Sequence, residues 1–163
     1  MAKLTNFLEP VIKWLAISFF VVMVVAALLQ IFTRYVINSS LPWTDELARY
    51  AFIWSTMLGA ALVHKKRGHI MIDLLLTRLS VKNQAALRIV VDALSLVILL
   101  ILAVQGYNLL TIGALQTTPA LEIKMSYVML SVPVAAVYMC MVTVEHLISD
   151  FKDYMKSAEG ATQ

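Results

Sequence analysis

"WLAISFFVVMVVAALLQIFT", residues 14–33, is twenty residues long and carries no charge. At about 1.5 Å of rise per residue, a helix of that length matches a hydrocarbon core of roughly 30 Å. The stretch therefore reads as a membrane span, and the composition agrees. Of the 163 residues, 61% are hydrophobic and the mean hydropathy is +0.82, against roughly 45–50% apolar in soluble domains. Lys3 and Lys13 precede the run as they would in a signal peptide. The run is too long for that and has no small-x-small cleavage site, so a retained first span is expected.

Three further stretches repeat the pattern less cleanly. Residues 44–63 are also twenty long, but Asp45, Glu46 and Arg49 occupy the first turns. In 85–110 only Arg88 and Asp92 interrupt the apolar pattern, both near its beginning, and 125–146 is uncharged through Val144. The expected fold is a single domain, 1–163: an all-α integral membrane protein with four transmembrane helices. Between the second and third spans, "HIMIDLLLTRLS" (69–80) sets Asp73, Thr77, Ser80 and Gln84 at helical spacing among Ile, Met and Leu. Such a helix is too short to cross, so an interfacial arm is expected over about 69–82. A second arm is expected over about 3–12, with Pro10 at its bend.

Orientation follows from the basic residues. Lys3, Lys13, Lys65, Lys66, Arg67, Arg78, Lys82, Arg88, Lys152 and Lys156 fall on one side, against Arg34, Arg49 and Lys124 on the other. The positive-inside rule puts both termini in the cytoplasm. The lipid bilayer is then the first partner of the chain, and nothing in the layout of its basic residues suits nucleic acid.

"LPWTDELARY" (41–50) faces outward in that arrangement. Asp45 and Glu46 are neighbours, pointing about 100° apart on a helix, so they do not converge on one bond. Pro42 ahead of the helix, Thr44 as N-cap and two acids against the positive dipole end form one reading, with Arg49 one turn on from both acids. Trp43 and Tyr50 suit an aromatic belt. An outward cluster of acid, aromatic and arginine is equally a docking surface. Glu122 and Lys124, in the turn before the fourth span, are available to the same face. Ala51, Ser55 and Gly59, four apart, form a small-residue stripe fit for close helix approach, either inside the chain or against a second subunit.

Other chemistry finds little support. Asp92 is the deepest acid, and Arg88 one turn away can neutralise it. His64 and His69 lie about 140° apart around a helix and cannot share a metal, which leaves a haem held through His146 as the remaining possibility. The lone Cys140 sits in an apolar run and reads as core. No phosphate loop, HExxH or GxSxG is present, so neither an enzyme nor a bound cofactor or metal is expected. Pro133 predicts a kink, with Ser126 or Ser131 near the freed carbonyls.

"LPWTDELARYAFIW" (41–54), "LGAALVHKKRGHIMIDLL" (58–75) and "TTPALEIKMSYVMLSVP" (117–133) occur in this order. In these segments the chain resembles the small membrane subunit, the DctQ-like component, of tripartite ATP-independent periplasmic (TRAP) transporters, from about residue 10 to 150. The resemblance implies a sodium-coupled importer in the bacterial inner membrane. Its soluble periplasmic solute-binding protein delivers an organic anion, such as sialic acid or a C4-dicarboxylate, to a large membrane subunit that holds the solute. This chain would be the stationary scaffold. The resemblance assigns Asp45, Glu46 and Arg49 to orienting the second span and outer rim, Trp43 to the interface belt and Gly59 to helix packing. His69 and Asp73 would anchor the arm against the large subunit. A respiratory membrane anchor and a self-sufficient small homo-oligomeric transporter are the alternatives.

Overall fold

The structure is a computed structural model and describes residues 2–39, 41–66 and 81–159. Its helices are α1 (Ala2–Tyr35), α2 (Pro42–Lys65), α3 (Val81–Gly113), α4 (Ser126–Met129) and α5 (Ser131–Glu159). Among the described residues the only pairing of extended chain is an isolated bridge between Thr117 and Lys124. The all-α expectation holds. Three segments are long and apolar enough to cross a bilayer: Leu4–Tyr35, Ala86–Gly113 and Ser126–Lys152. The α2 helix, with its charged first turns, falls short of that measure although its 24 residues would reach across.

Polar contacts fix the course of the helices: α1 runs antiparallel to α2, and α2 runs parallel to α5. Thr5 at the start of α1 donates to Glu145 midway along α5. Lys65, at the end of α2, reaches Asn6 at 2.7 Å and Glu9 at 2.9 Å on α1. His64 lies 2.7 Å from the Thr143 hydroxyl, whose own proton goes to the Met139 carbonyl at 2.8 Å. The Thr143 oxygen is therefore the acceptor and His64 Nε2 the donor. These contacts make up a terminal end, where α1 begins and beyond which the second half of α5 continues to Glu159. At the opposite end Gln30 of α1 donates to Asp45 of α2 at 3.3 Å, beside the turn that joins α3 to α4.

The helices form an open row. The α1 helix packs along α2, α2 along α5, and α5 along α3, while α1 and α3 share no extensive contact. The apolar windows of the outer helices are consequently only 6% buried each, against 50% for α4–α5. Lipid tails cover an apolar flank as well as another helix does, so burial of apolar surface does not by itself drive the row to close into a bundle. The small core lies between α2, α3 and α5, where Ala61, Leu99, Ala135, Tyr138 and Val142 meet, with Cys140 packed against them.

Close approach is supplied by glycines of α3. A Cβ on Gly106 would lie 3.0 Å from Pro133 Cδ, and one on Gly113 would lie 2.9 Å from the Ser126 backbone nitrogen. Gly59 has nothing within 4 Å of that position. The small-residue stripe is thus not a packing seam within the chain: Ala51 is buried, while Ser55 and Gly59 are half-exposed. The reason is rotational. The face α2 turns inward carries Tyr50, Leu58 and Ala61, and Gly59 lies off it.

The predicted N-terminal arm is not a separate element. Residues 3–12 belong to α1, which is helical on both sides of Pro10. The Thr5, Asn6 and Glu9 contacts offset the hydrogen bond that the proline removes. Pro133 likewise breaks less than expected, because the helix restarts at Ser131 and the ring falls in a first turn that needs no donor. The interruption is at Leu130, and the buried Ser131 hydroxyl donates to the Val128 carbonyl at 2.8 Å. The interfacial arm, with His69 and Asp73, falls outside the described residues up to position 80. Val81 and Lys82 already belong to α3.

Candidate functional site

The polar residues of the second span meet the turn before the fourth at one place, the end opposite the termini. The α2 helix starts earlier than the sequence suggests. Leu41 is the N-cap, in extended conformation (φ −104°, ψ 100°), and Pro42 takes the first helical position, for which its fixed φ suits it. Thr44 is therefore inside the helix and caps nothing. It is fully buried, and its hydroxyl donates to the Leu41 carbonyl at 2.7 Å.

This start sends the two acids in different directions. Asp45 forms an ion pair with Arg49 one turn on and accepts from Gln30. Glu46 turns inward to 7% exposure and accepts two backbone N–H groups from the turn, Ala120 at 3.1 Å and Leu121 at 3.0 Å. Arg49, one turn on from both acids, pairs with Asp45 and not with Glu46. Glu46 is buried and both its oxygens are taken by the hairpin amides, while Arg49 stays exposed with Asp45.

Residues 116–125 form a short hairpin. Met125 N–H donates to the Gln116 carbonyl at 3.0 Å and Thr118 N–H to the Ile123 carbonyl at 2.9 Å. The buried Thr118 hydroxyl accepts from Ile123 N–H at 3.2 Å. Glu122 sits at φ 54°, in the left-handed region, with its side chain exposed, as is that of Lys124. Between hairpin and helix runs an open cleft of about 490 Å³, walled by Pro42, Asp45, Arg49 and Tyr50 on one side and Pro119, Ala120 and Met125 on the other. Trp43 stands outside it, 38% exposed at the head of α2.

Trp54, midway along α2, braces this end from below and has no role in the reading of the sequence. Its indole stacks on Phe19 of α1 with centroids 5.3 Å apart, and its Nε1 donates to the Tyr127 carbonyl of α4 at 3.1 Å. One side chain of α2 thus holds both neighbours. A tryptophan in an apolar span is the available signal, since its N–H needs a partner when shielded from water.

The remaining sequence candidates lie elsewhere. Arg88 and Asp92 stand one turn apart and half-buried near the start of α3. His64 and His146 have ring centroids 6.3 Å apart, but α2 and α5 pack directly there and His64 Nε2 is engaged by Thr143. A porphyrin has no slot between them. Among the described residues no three His, Cys, Asp or Glu side chains converge as metal ligands.

Because the side chains of Arg49 and Asp45 are 63% and 49% exposed, their pair is screened by water. Arg49→Ala should therefore change the chain's own stability by less than about 1 kcal/mol. Thermal unfolding of the detergent-solubilised protein checks this.

The sequence that builds this charged helix start and hairpin matches a known family profile. The profile of the DctQ component of tripartite ATP-independent periplasmic transporters covers residues 23–153. The chain belongs to that family. A Haemophilus influenzae protein described as a TRAP transporter small permease is 32% identical over 97 residues, which is 60% of each chain. The sialic acid TRAP transporter small permease SiaQ of Vibrio cholerae is 28% identical over 93% of this chain and 86% of its own. The isethionate TRAP transporter permease DctMQ of Oleidesulfovibrio alaskensis is 33% identical over 95 residues, 57% of this chain but 15% of that much longer protein. A DctQ component is part of a transporter and not an enzyme.

Proposed function

We propose that this chain is the small scaffold subunit of a TRAP transporter in the bacterial inner membrane, bound stably to a large membrane subunit that holds the solute. All four long helices cross the bilayer, α2 included. Both termini lie in the cytoplasm and the hairpin end faces the periplasm. The transporter imports an organic anion, delivered by a periplasmic solute-binding protein and driven by sodium. A carboxylate such as sialic acid or a C4-dicarboxylate is the expected class, and the names of the relatives make sialic acid and the sulfonate isethionate the first solutes to try.

The open row of helices carries this reading. A transporter that works alone must enclose a path for its solute, whereas a row with two long uncovered flanks offers surface to another membrane protein. Gly59, with open space before it, belongs to such a surface. His69 and Asp73, in the predicted arm, are assigned to the same attachment. Arg88 and Asp92, an acid with a base one turn away, are assigned to structure and not to an ion path.

The test is a mild-detergent pull-down of the tagged chain from its native membranes, followed by mass spectrometry. A large, many-spanning membrane protein recovered near one to one is the expected result. Recovery of the chain alone or as a homo-oligomer, with cross-linking having excluded loss in detergent, would overturn the reading in favour of a self-sufficient transporter.

A further inference from the structure

We propose that Glu46 is a positioning residue that holds the 116–125 hairpin in the one orientation in which it docks the soluble solute-binding protein. This rests on the reading of the chain as a small TRAP subunit with its hairpin end in the periplasm.

The argument begins with the buried carboxylate. Glu46 is 7% exposed, and each of its oxygens accepts one backbone N–H from residues 74 and 75 positions away. Arg49 is engaged with Asp45, so the stabilisation of Glu46 comes from these two amides together with the start of α2. A buried side chain that served packing alone could be apolar. Two directional bonds to consecutive peptide groups do something packing cannot, which is to fix which way the 119–121 turn faces.

The hairpin needs that fixing. It is short, its own ladder amounts to a single bridge, and Glu122 occupies a left-handed conformation that a glutamate adopts at a cost. Held against α2, it forms the far wall of the 490 Å³ cleft and turns Glu122 and Lys124 outward beside the exposed Asp45–Arg49 pair. Charged side chains of both signs, exposed at the polar end of an apolar row, cannot be covered by lipid tails. They stand in water, where the solute-binding protein of the proposed function can meet them with charged side chains of its own, and the cleft has room for a side chain from it. Pre-organisation of such a surface shows in affinity, because a loosened hairpin must be ordered again at each encounter.

The experiment uses the complex of this chain with its large subunit in lipid nanodiscs and the cognate solute-binding protein as probe. Glu46→Gln keeps the size of the side chain but places an amide NH₂ against one of the two N–H donors. Hydrogen exchange of the segment 116–125 should quicken about 10-fold or more, the scale of one lost buried hydrogen bond. The dissociation constant for the solute-binding protein should rise at least about 10-fold, while the two membrane subunits still purify one to one. Thr118→Val removes the acceptor for Ile123 N–H from the hairpin's own side and should reproduce both effects with Glu46 intact. Unchanged exchange in Glu46→Gln would show that the carboxylate is no latch. Faster exchange with unchanged affinity would show that the hairpin is not the docking surface. If neither variant assembles, the hairpin is a folding element and the proposal falls. Failure of the wild-type chain to bring down a large subunit is a separate result and counts against the proposed function instead.

Discussion

Gly113→Ala should lower the thermal unfolding midpoint of the detergent-solubilised chain, through a loss of about 1–3 kcal/mol, the usual range for a forced overpacking. Conformation is not the reason, since none of the described glycines has a positive φ. The added methyl would stand 2.6 Å from Met129 Sδ, 2.9 Å from the Ser126 nitrogen and 3.1 Å from Ser126 Cα. A methionine tip can swing away, but the Ser126 backbone cannot move without shifting the start of α4. Gly106 faces the same obstacle in the rigid ring of Pro133, at 3.0 Å. Gly59→Ala is the control. With nothing within 4 Å, it should leave the isolated chain unchanged or stabilise it by up to about 1 kcal/mol through helix propensity. Gly59→Leu should leave the isolated chain folded yet weaken its capture of the large subunit, measured by the pull-down. Equal losses from Gly113→Ala and Gly59→Ala in the isolated chain would mean that the helices pack on a different seam.

The contrast between these glycines shows where the sequence speaks and where it is silent. Length and apolarity announce the helices because they are local properties: the run 14–33 lies inside α1, 85–110 inside α3 and 44–63 inside α2. Spacing also announced that Ala51, Ser55 and Gly59 share a helical face. It could not announce which face α2 turns inward. In a bilayer the side of a helix toward lipid is as apolar as the side toward its neighbours, so no polar stripe marks the outside. The site was legible to the same degree. The charges at 45, 46 and 49, and those at 122 and 124, were visible as two polar islands at one end. That Glu46 crosses to the backbone of residues 120 and 121 was not, since an amide donor more than 70 residues away leaves no signature in either segment. The start of α2 differs from the expected one for a chemical reason. Thr44 and Pro42 are both good helix-start residues, and the fixed φ of proline at the first position prevailed over the side-chain cap.

Trp54→Ala should destabilise the chain by about 1–3 kcal/mol. This is less than the roughly 3–5 kcal/mol typical of a tryptophan removed from a water-soluble core, because lipid, and not water, replaces its apolar contacts. What is lost is the stack on Phe19 and the bond to the Tyr127 carbonyl, together the link from α2 to α1 on one side and to α4 on the other. Trp54→Phe separates the two. It retains an aromatic ring for Phe19 but leaves the Tyr127 carbonyl without the indole donor, so about 1 kcal/mol of the loss should remain. Phe19→Leu should supply the complementary part, about 0.5–1.5 kcal/mol for an aromatic pair. Unfolding midpoints of the three variants in one detergent decide the matter. If Trp54→Phe matches the wild type while Phe19→Leu matches Trp54→Ala, the stack on Phe19 is the whole of the Trp54 contribution and the bond to the Tyr127 carbonyl adds nothing. The hairpin end would then depend for its hold on α2 upon the two bonds of Glu46, and hydrogen exchange over 116–125 should respond to Glu46→Gln but not to Trp54→Phe.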